Sequence, residues 1–243
     1  GKGSNVLVRD EGFRGVVILL AEEFNEIDSL ESGEGAEVLL RVGAGCSLTK
    51  LNSHCGQKGF GGLAFSYGIP GTVGGAVLMN AGAWGKDISQ VVTEVGVTTA
   101  DGYEKLSGAQ LDFAYRHWPK FARFAGRGVI VDAKFSLSCT DRKIVEGEMK
   151  YLLQRRKALQ PHNFPNGGSC FKNPKGESAG RLIEDCGLKG ELVGGAMVSE
   201  KHANFIINYN KATAEDVLTL ISRVQESVSS RCNVTLEPEL HVM

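Results

Sequence analysis

The sequence predicts an α+β protein built from two units, and three observations carry that expectation. Short apolar runs separated by glycine or polar turns dominate residues 1–138. Over residues 139–243, apolar residues at helical spacing alternate with short strands. Between Lys58 and Lys86 lie 27 residues without one charged side chain, nine of them glycine. A chain of 243 residues holds enough core for two modest domains. A cleft between two such units is the expected place for a ligand.

In the first unit, Val6–Val8 and Val16–Leu20 read as strands split by the polar turn Arg9–Gly15. Val38–Val42 is another strand, and Leu48–Lys58 a short helix that stops at Gly59. Val91–Thr99 alternates and reaches Asp101-Gly102, a hairpin signal. Val129–Leu137 adds a further strand. The chain opens on Gly1 rather than Met and runs almost at once into a strand that needs a neighbour. An N-terminally truncated chain is expected, with Val6–Val8 left lacking its pairing strand.

In the second unit, Val145, Met149 and Leu152 mark a helix over Arg142–Leu159, ended by Pro161. Ala179–Cys186 is a short helix with Gly187 as a left-handed cap. Phe205–Asn208 is a strand. Thr213 to Asp216 begins a helix in capping-box style, with Val217, Leu220, Ile221, Val224 and Val228 on one face. Val234–Val242 reads as the last strand.

The formal net charge is −1 and the pI about 6.6, which argues against a nucleic-acid or anionic-membrane partner. Six cysteines show neither C-x-x-C nor zinc-site spacing, so reduced thiols in a cytoplasmic protein are expected. The five histidines are scattered, no H-e-x-x-H occurs, and no metal is expected.

The uncharged run is long enough to cross a bilayer, but Pro70, Asn80 and the glycines make it a poor transmembrane helix. Glycine admits positive φ and lets a ligand rest directly on the backbone, whose amide N–H groups favour anions. The run is therefore read as a cradle for a large anionic ligand, with a structural loop as the alternative.

Four polar positions could carry chemistry. Arg116, after Tyr115, is a fixed cation or a surface ion-pair partner. Ser169 stands on the glycine loop Asn166-Gly167-Gly168-Ser169 and exposes its hydroxyl or simply turns the chain. Lys157 lies in Arg155-Arg156-Lys157 at a helix end, where dipole compensation explains it equally. Glu237 and Glu239 flank Pro238 and, at spacing two, share one face of a strand or one exposed edge.

Taken in order, several segments resemble the bacterial UDP-N-acetylenolpyruvoylglucosamine reductase family. They include Gly3-Ser4-Asn5-Val6-Leu7-Val8, Gly68-Ile69-Pro70-Gly71-Thr72-Val73-Gly74-Gly75-Ala76, Asn80-Ala81-Gly82, Tyr115-Arg116 and Gly168-Ser169-Cys170-Phe171-Lys172-Asn173-Pro174. Ala179–Glu184, Gly194-Gly195-Ala196, His202–Asn208, Ala212-Thr213 and Leu236-Glu237-Pro238-Glu239 continue the series. Each piece alone is weak, and the ordered set over the whole chain is specific.

The resemblance implies an FAD-binding domain of the vanillyl-alcohol-oxidase/PCMH type over 1–138. An α+β substrate-binding domain over 139–243 would follow, its last strand returning to the active site. It implies FAD held by Gly3, Ser4, Asn5, Tyr67, Gly68, Ile69, Pro70, Gly71, Thr72, Gly74, Gly75, Asn80, Ala81 and Gly82. NADPH would reduce the flavin, and UDP-N-acetylglucosamine enolpyruvate would then be reduced to UDP-N-acetylmuramate for peptidoglycan synthesis. Arg116 matches the cation beside the developing enolate, Glu239 its acidic partner, and Ser169 the proton donor to C2. Cys170, next door on an extended loop, should point elsewhere. Lys157, Asn173 and His202 match substrate contacts. The glycine run lacks a histidine for covalent attachment, so the flavin is expected to be non-covalent. The short spacing from Arg116 to Ser169 resembles the subgroup lacking an extra tyrosine-bearing loop. A monomer is expected. Another FAD-dependent oxidase of the same superfamily, or a non-catalytic nucleotide-binding fragment, are the alternatives.

Overall fold

The computed structural model describes residues 1–30, 37–124 and 126–243. It contains two compact units, the first made of Gly1–Lys2 with Val17–Arg155 and the second of Gly3–Val16 with Arg156–Met243.

The first unit is organised by an antiparallel sheet in the order Ile27–Leu30, Glu37–Gly43, Val129–Cys139, Val92–Thr99, Gly102–Ser107. Phe60–Gly61 pairs with the end of the long central strand. Glu37–Gly43 alternates strictly, turning Val38, Leu40 and Val42 into the core opposite exposed neighbours. Val95, Val97, Ala133, Phe135 and Leu137 supply the same buried face from neighbouring strands. The helix α1 (Leu48–Lys58) covers it with Leu48, Leu51 and Cys55. Ser47 caps its start by accepting from the Lys50 N–H, and Gly59 ends it at φ 73°.

A second helix, α2 (Val73–Leu78), forms inside the glycine-rich run, where glycine's poor helix propensity gave no sign of one. Tertiary contacts decide it. The Val73 and Gly74 N–H groups donate to the carbonyls of Cys46 and Ala44 at 2.9 and 2.8 Å. A Cβ on Gly74 would stand 3.0 Å from that of Ala44, so only glycine lets the helix sit so close. Helix α3 (Arg142–Leu159) lays Val145, Met149 and Leu152 against Ala64, Tyr67 and Trp84. That packing places most of α3 in the first compact unit, which runs to Arg155.

The second unit carries a three-stranded antiparallel meander, Leu192–Val193, Ala196–Val198 and Ile206–Asn208. Helices α4 (Ala179–Asp185) and α5 (Ala214–Cys232) share its core through Leu182, Ile183, Leu220, Ile221, Val224 and Val228. The α5 capping box is present as expected, Thr213 and Asp216 exchanging side-chain and backbone bonds. Gly194-Gly195 is compact-turn chemistry: a Cβ on either would collide with Asp216 or with the Asn210–Ala212 backbone.

Three strand expectations are corrected. Val6–Leu7 has a partner, the parallel strand His241–Val242 at the other end of the chain. Val16–Leu20 is not a strand, and Val16, Val17, Ile18 and Leu19 are all exposed. An apolar run signals burial only if another element covers it. Val234–Val242 is not one continuous strand either. Only His241–Val242 is regular, preceded by an isolated bridge from Pro238 to Phe171, because proline removes a ladder donor.

Candidate active site

The glycine-rich run divides into a buried part and a backbone-presenting part. Leu63, Ala64, Phe65 and Ser66 are buried, the Ser66 hydroxyl accepting from the Asn52 amide at 2.7 Å. Tyr67 to Gly71 then emerge half-buried or exposed, with Gly68 at φ 83° and Gly71 at φ 150°. Thr72 is buried and bridges to Ser47. Gly74 is committed to packing, whereas Gly75 is exposed, with Thr72 Oγ1 at 3.8 Å from where its Cβ would be. The result is a charge-free strip of peptide groups, Tyr67–Gly71 with Gly75, with the Tyr67 ring at one end. That strip suits the anionic and aromatic parts of FAD. When bound, FAD would rest on this backbone.

Downstream, Gly82–Ala83 pairs with Lys86–Asp87 through a two-residue turn in which Trp84 and Gly85 have φ 60° and 78°. Two positive φ values in succession match a type I′ hairpin turn. Tyr115-Arg116 forms another two-residue tip, with Arg116 at positive φ, closed by mutual bonds between Ala114 and His117 at 2.8 and 3.2 Å. Arg116 adopts φ 55°, and its Nη2 donates to the Gly82 carbonyl at 2.9 Å. Its guanidinium carbon lies 4.9 Å from the Tyr115 ring centroid. Asn80, almost fully buried, donates from Nδ2 to the Ala114 carbonyl at 3.1 Å and accepts from the Ser89 N–H at 3.0 Å. Asn80, Ala81 and Gly82 are thus brought together with Arg116, and the Asn80 amide braces the arginine turn.

In the second unit, Cys170 to Lys172 run between two supports. On one side, Cys170 N–H donates to the Asn204 carbonyl at 2.7 Å, and the Asn204 side chain bonds both the N–H and C=O of Phe171 at 2.9 and 2.8 Å. On the other, Glu239 N–H donates to the Cys170 carbonyl at 2.8 Å, and Lys172 N–H to the Glu237 carbonyl at 2.9 Å. Cys170 and Phe171 are both turned into the core of the second unit. Cys170 points into the core at 1% exposed, while Ser169 is half-buried. Burial, with the Glu239 charge adding, holds the Cys170 thiol far above its ordinary pKa, so it is an inert core group.

Of the two glutamates, Glu237 is exposed and pairs with Lys172 at 2.5 Å, whereas Glu239 is half-buried beside Cys170. The Gly3-Ser4-Asn5 turn belongs to this unit, and Asn5 Nδ2 donates to the Glu239 carbonyl at 3.1 Å. Asn173 and His202 each lie against the first turn of α4. Asn173 Oδ1 accepts from the Ala179 N–H at 3.0 Å, and His202 Cε1 is 3.4 Å from the site of a Gly180 Cβ. His202 Nδ1 accepts from the Asn204 N–H at 3.3 Å, and burial lowers its pKa. Lys157 is exposed, its carbonyl accepting from Lys201 at 2.7 Å.

Ile69, Pro70 and Ala81 lie in the same strip and hairpin as their neighbours. Asn204 is the residue that single-position reasoning overlooked. Its place inside the His202–Asn208 segment was visible in the sequence, and the structure shows its side chain buried and bonded to Phe171. Two open pockets of about 370 and 490 Å³ in the first unit are lined by none of the candidate residues.

Residues 160–243 match the family described as UDP-N-acetylenolpyruvoylglucosamine reductase, C-terminal domain, and residues 1–106 match an FAD binding domain. The enzyme called UDP-N-acetylenolpyruvoylglucosamine reductase 2 in Symbiobacterium thermophilum is 50% identical over 244 residues, covering 100% of this chain and 76% of that protein. The chain belongs to the UDP-N-acetylenolpyruvoylglucosamine reductase family. The reductase of Geobacter metallireducens is 45% identical over 100% of this chain and 78% of its own length. The crystal structure of the Thermus caldophilus reductase superposes with a TM-score of 0.81 at 37% identity, over 99% of this chain and 82% of that one. As a member of this reductase family the protein is an FAD-dependent oxidoreductase. Its fold is the expected one, an FAD-binding domain followed by the reductase C-terminal domain.

Proposed function

We propose that the protein reduces the enolpyruvyl group of UDP-N-acetylglucosamine enolpyruvate to UDP-N-acetylmuramate, with Arg116, Ser169 and Glu239 carrying the chemistry. When bound and reduced by NADPH, FAD would supply the hydride taken up by the enolpyruvyl group. Arg116 stabilises the negative charge that builds on C2 and the carboxylate, a role that requires a cation already held in place. Its bond to Gly82 meets that requirement, because the guanidinium does not have to be ordered during reaction. Glu239 helps hold the enolate system, and its backbone is fixed by Cys170 and Asn5. Ser169 delivers the proton to C2. Serine is a weak acid, so it serves only a strongly basic enolate at close range.

The observation that carries this assignment is the split between neighbours: Cys170 is buried and inert, leaving Ser169 as the accessible hydroxyl of the loop. Lys157, Asn173 and His202 contact the diphosphate and carboxylate regions of the substrate. The Tyr67–Gly71 strip, Gly75 and the Gly3–Asn5 turn hold FAD without a covalent bond. Among the described residues no helix is long and apolar enough to cross a membrane. We place the reaction in the cytoplasm, carried out by a monomer without nucleic-acid partners.

The test uses the FAD-loaded protein in anaerobic stopped-flow. Ser169→Ala should leave flavin reduction by NADPH nearly unchanged and slow flavin reoxidation by the enolpyruvyl substrate by about 10²-fold or more. Equal loss in both half-reactions, or in neither, would remove Ser169 from the proton-donor role.

A further inference from the structure

We propose that Cys186 and Cys232 are a modification site that takes a peroxide and closes to a disulfide between the ends of α4 and α5. The two thiols are 46 positions apart, with their sulfurs at 3.7 Å. A disulfide needs about 2.0 Å, so closure calls for roughly 1.7 Å of sulfur movement. Both residues sit where the backbone can yield. Cys186 is the C-cap of α4, and Cys232 is the last residue of α5, followed by Asn233 at φ 54°. The Arg231 guanidinium donates to the Cys186 carbonyl at 2.8 Å and holds the two helix ends together.

Accessibility orders the steps. Cys186 is 3% exposed and Cys232 is half-buried, so peroxide meets Cys232 first. The Cys232 sulfur, losing its proton, attacks one peroxide oxygen. The O–O bond breaks, water leaves after protonation, and a sulfenic acid remains. Cys186 then loses its proton and attacks that sulfur, forming S–S and releasing the second water. Two thiols are oxidised by two electrons, and one peroxide is reduced to two waters. Burial and the neighbouring Cys232 keep Cys186 protonated beforehand, which suits the group that waits. The other thiols differ: Cys46, Cys55 and Cys170 are buried, and Cys139 is exposed. The link would fasten the C-terminal end of α4, about 10 Å along the helix from the turn held by Asn173.

The FAD-loaded protein would be treated with hydrogen peroxide, alkylated, digested without reductant and analysed by mass spectrometry. The expected product is a cross-linked peptide pair joining Cys186 to Cys232, lighter by two hydrogens than the reduced pair. The melting temperature should rise by on the order of 10 °C, as closing a loop of this size predicts, and fall back with dithiothreitol. Cys232→Ser should abolish both changes, and Cys139→Ser should leave them intact. Oxidation of Cys232 that stops at sulfinic acid would overturn the proposal, as would a link to any other cysteine or peroxide treatment that leaves both thiols free.

Discussion

The Arg116 guanidinium donates to the Gly82 carbonyl at 2.9 Å. The cation and the Gly82–Asp87 hairpin are therefore one mechanical piece, further braced by Asn80 on Ala114. Arg116→Ala should slow reoxidation of reduced flavin by substrate about 10²–10³-fold, the usual cost of losing one preorganised charge-stabilising group. Asn80→Asp keeps an acceptor for the Ser89 N–H but removes the donor to Ala114. It should slow the same half-reaction roughly 10-fold, and add little on an Arg116→Ala background if its effect passes through the arginine. Additive losses in that stopped-flow cycle would separate the two residues.

Cys170→Ala should behave oppositely to Ser169→Ala. Removing a sulfur from a packed core costs about 1 kcal/mol of stability, while the substrate half-reaction should stay within about 3-fold of the parent, a change worth under 1 kcal/mol of barrier. Urea unfolding and single-turnover rates measure both. A Cys170→Ala variant as slow as Ser169→Ala would move the chemistry to the thiol.

Asp10 caps α5 from more than two hundred positions away, its carboxylate accepting from the Ala214 and Glu215 N–H groups at 2.9 and 3.2 Å. Asp10→Ala should cost about 1 kcal/mol, the ordinary price of a lost N-terminal cap. Asp10→Asn, which keeps an acceptor but loses the charge, should cost less. Urea midpoints that leave all three proteins indistinguishable would show that the Thr213–Asp216 box suffices alone.

Burial lowers the pKa of His202 in the folded protein. The unfolded chain then binds the proton more readily, so folding stability is complete above about pH 6.5 and drains as pH falls below it. Protonation also removes the Nδ1 acceptor for the Asn204 N–H, loosening the support of the Ser169 loop. His54 shifts the same way, also through burial. Denaturation at pH 7.5 and 5.5 should show a loss on acidification that shrinks in His202→Gln and shrinks again when His54→Gln is added. An unchanged pH slope in both variants would remove the histidines as its cause.

Much of the local structure was legible in the residues. Gly59 ends α1, Thr213 and Asp216 start α5, and Asp101-Gly102 marks the hairpin that turns at Ala100-Asp101, because each signal lies within a few positions of what it controls. Expectations failed where the deciding partner is distant. Val6 pairs with His241. Pro238 breaks what reads as one strand. A helix forms through Val73–Leu78 because Ala44 and Cys46 accept its first donors.

The candidate site divides in the same way. The sequence by itself determined the family, the uncharged backbone strip from Tyr67 and the types of residue offered for chemistry, since composition and order are properties of the chain. Only the tertiary structure decided what individual side chains do. It buried Cys170 and left Ser169 accessible, turned the Asn80 amide to Ala114 and Ser89, and set Asn204 behind the Ser169 loop. A hydrogen bond or buried contact between distant residues is selected by packing, and no local pattern encodes which partner will be within reach.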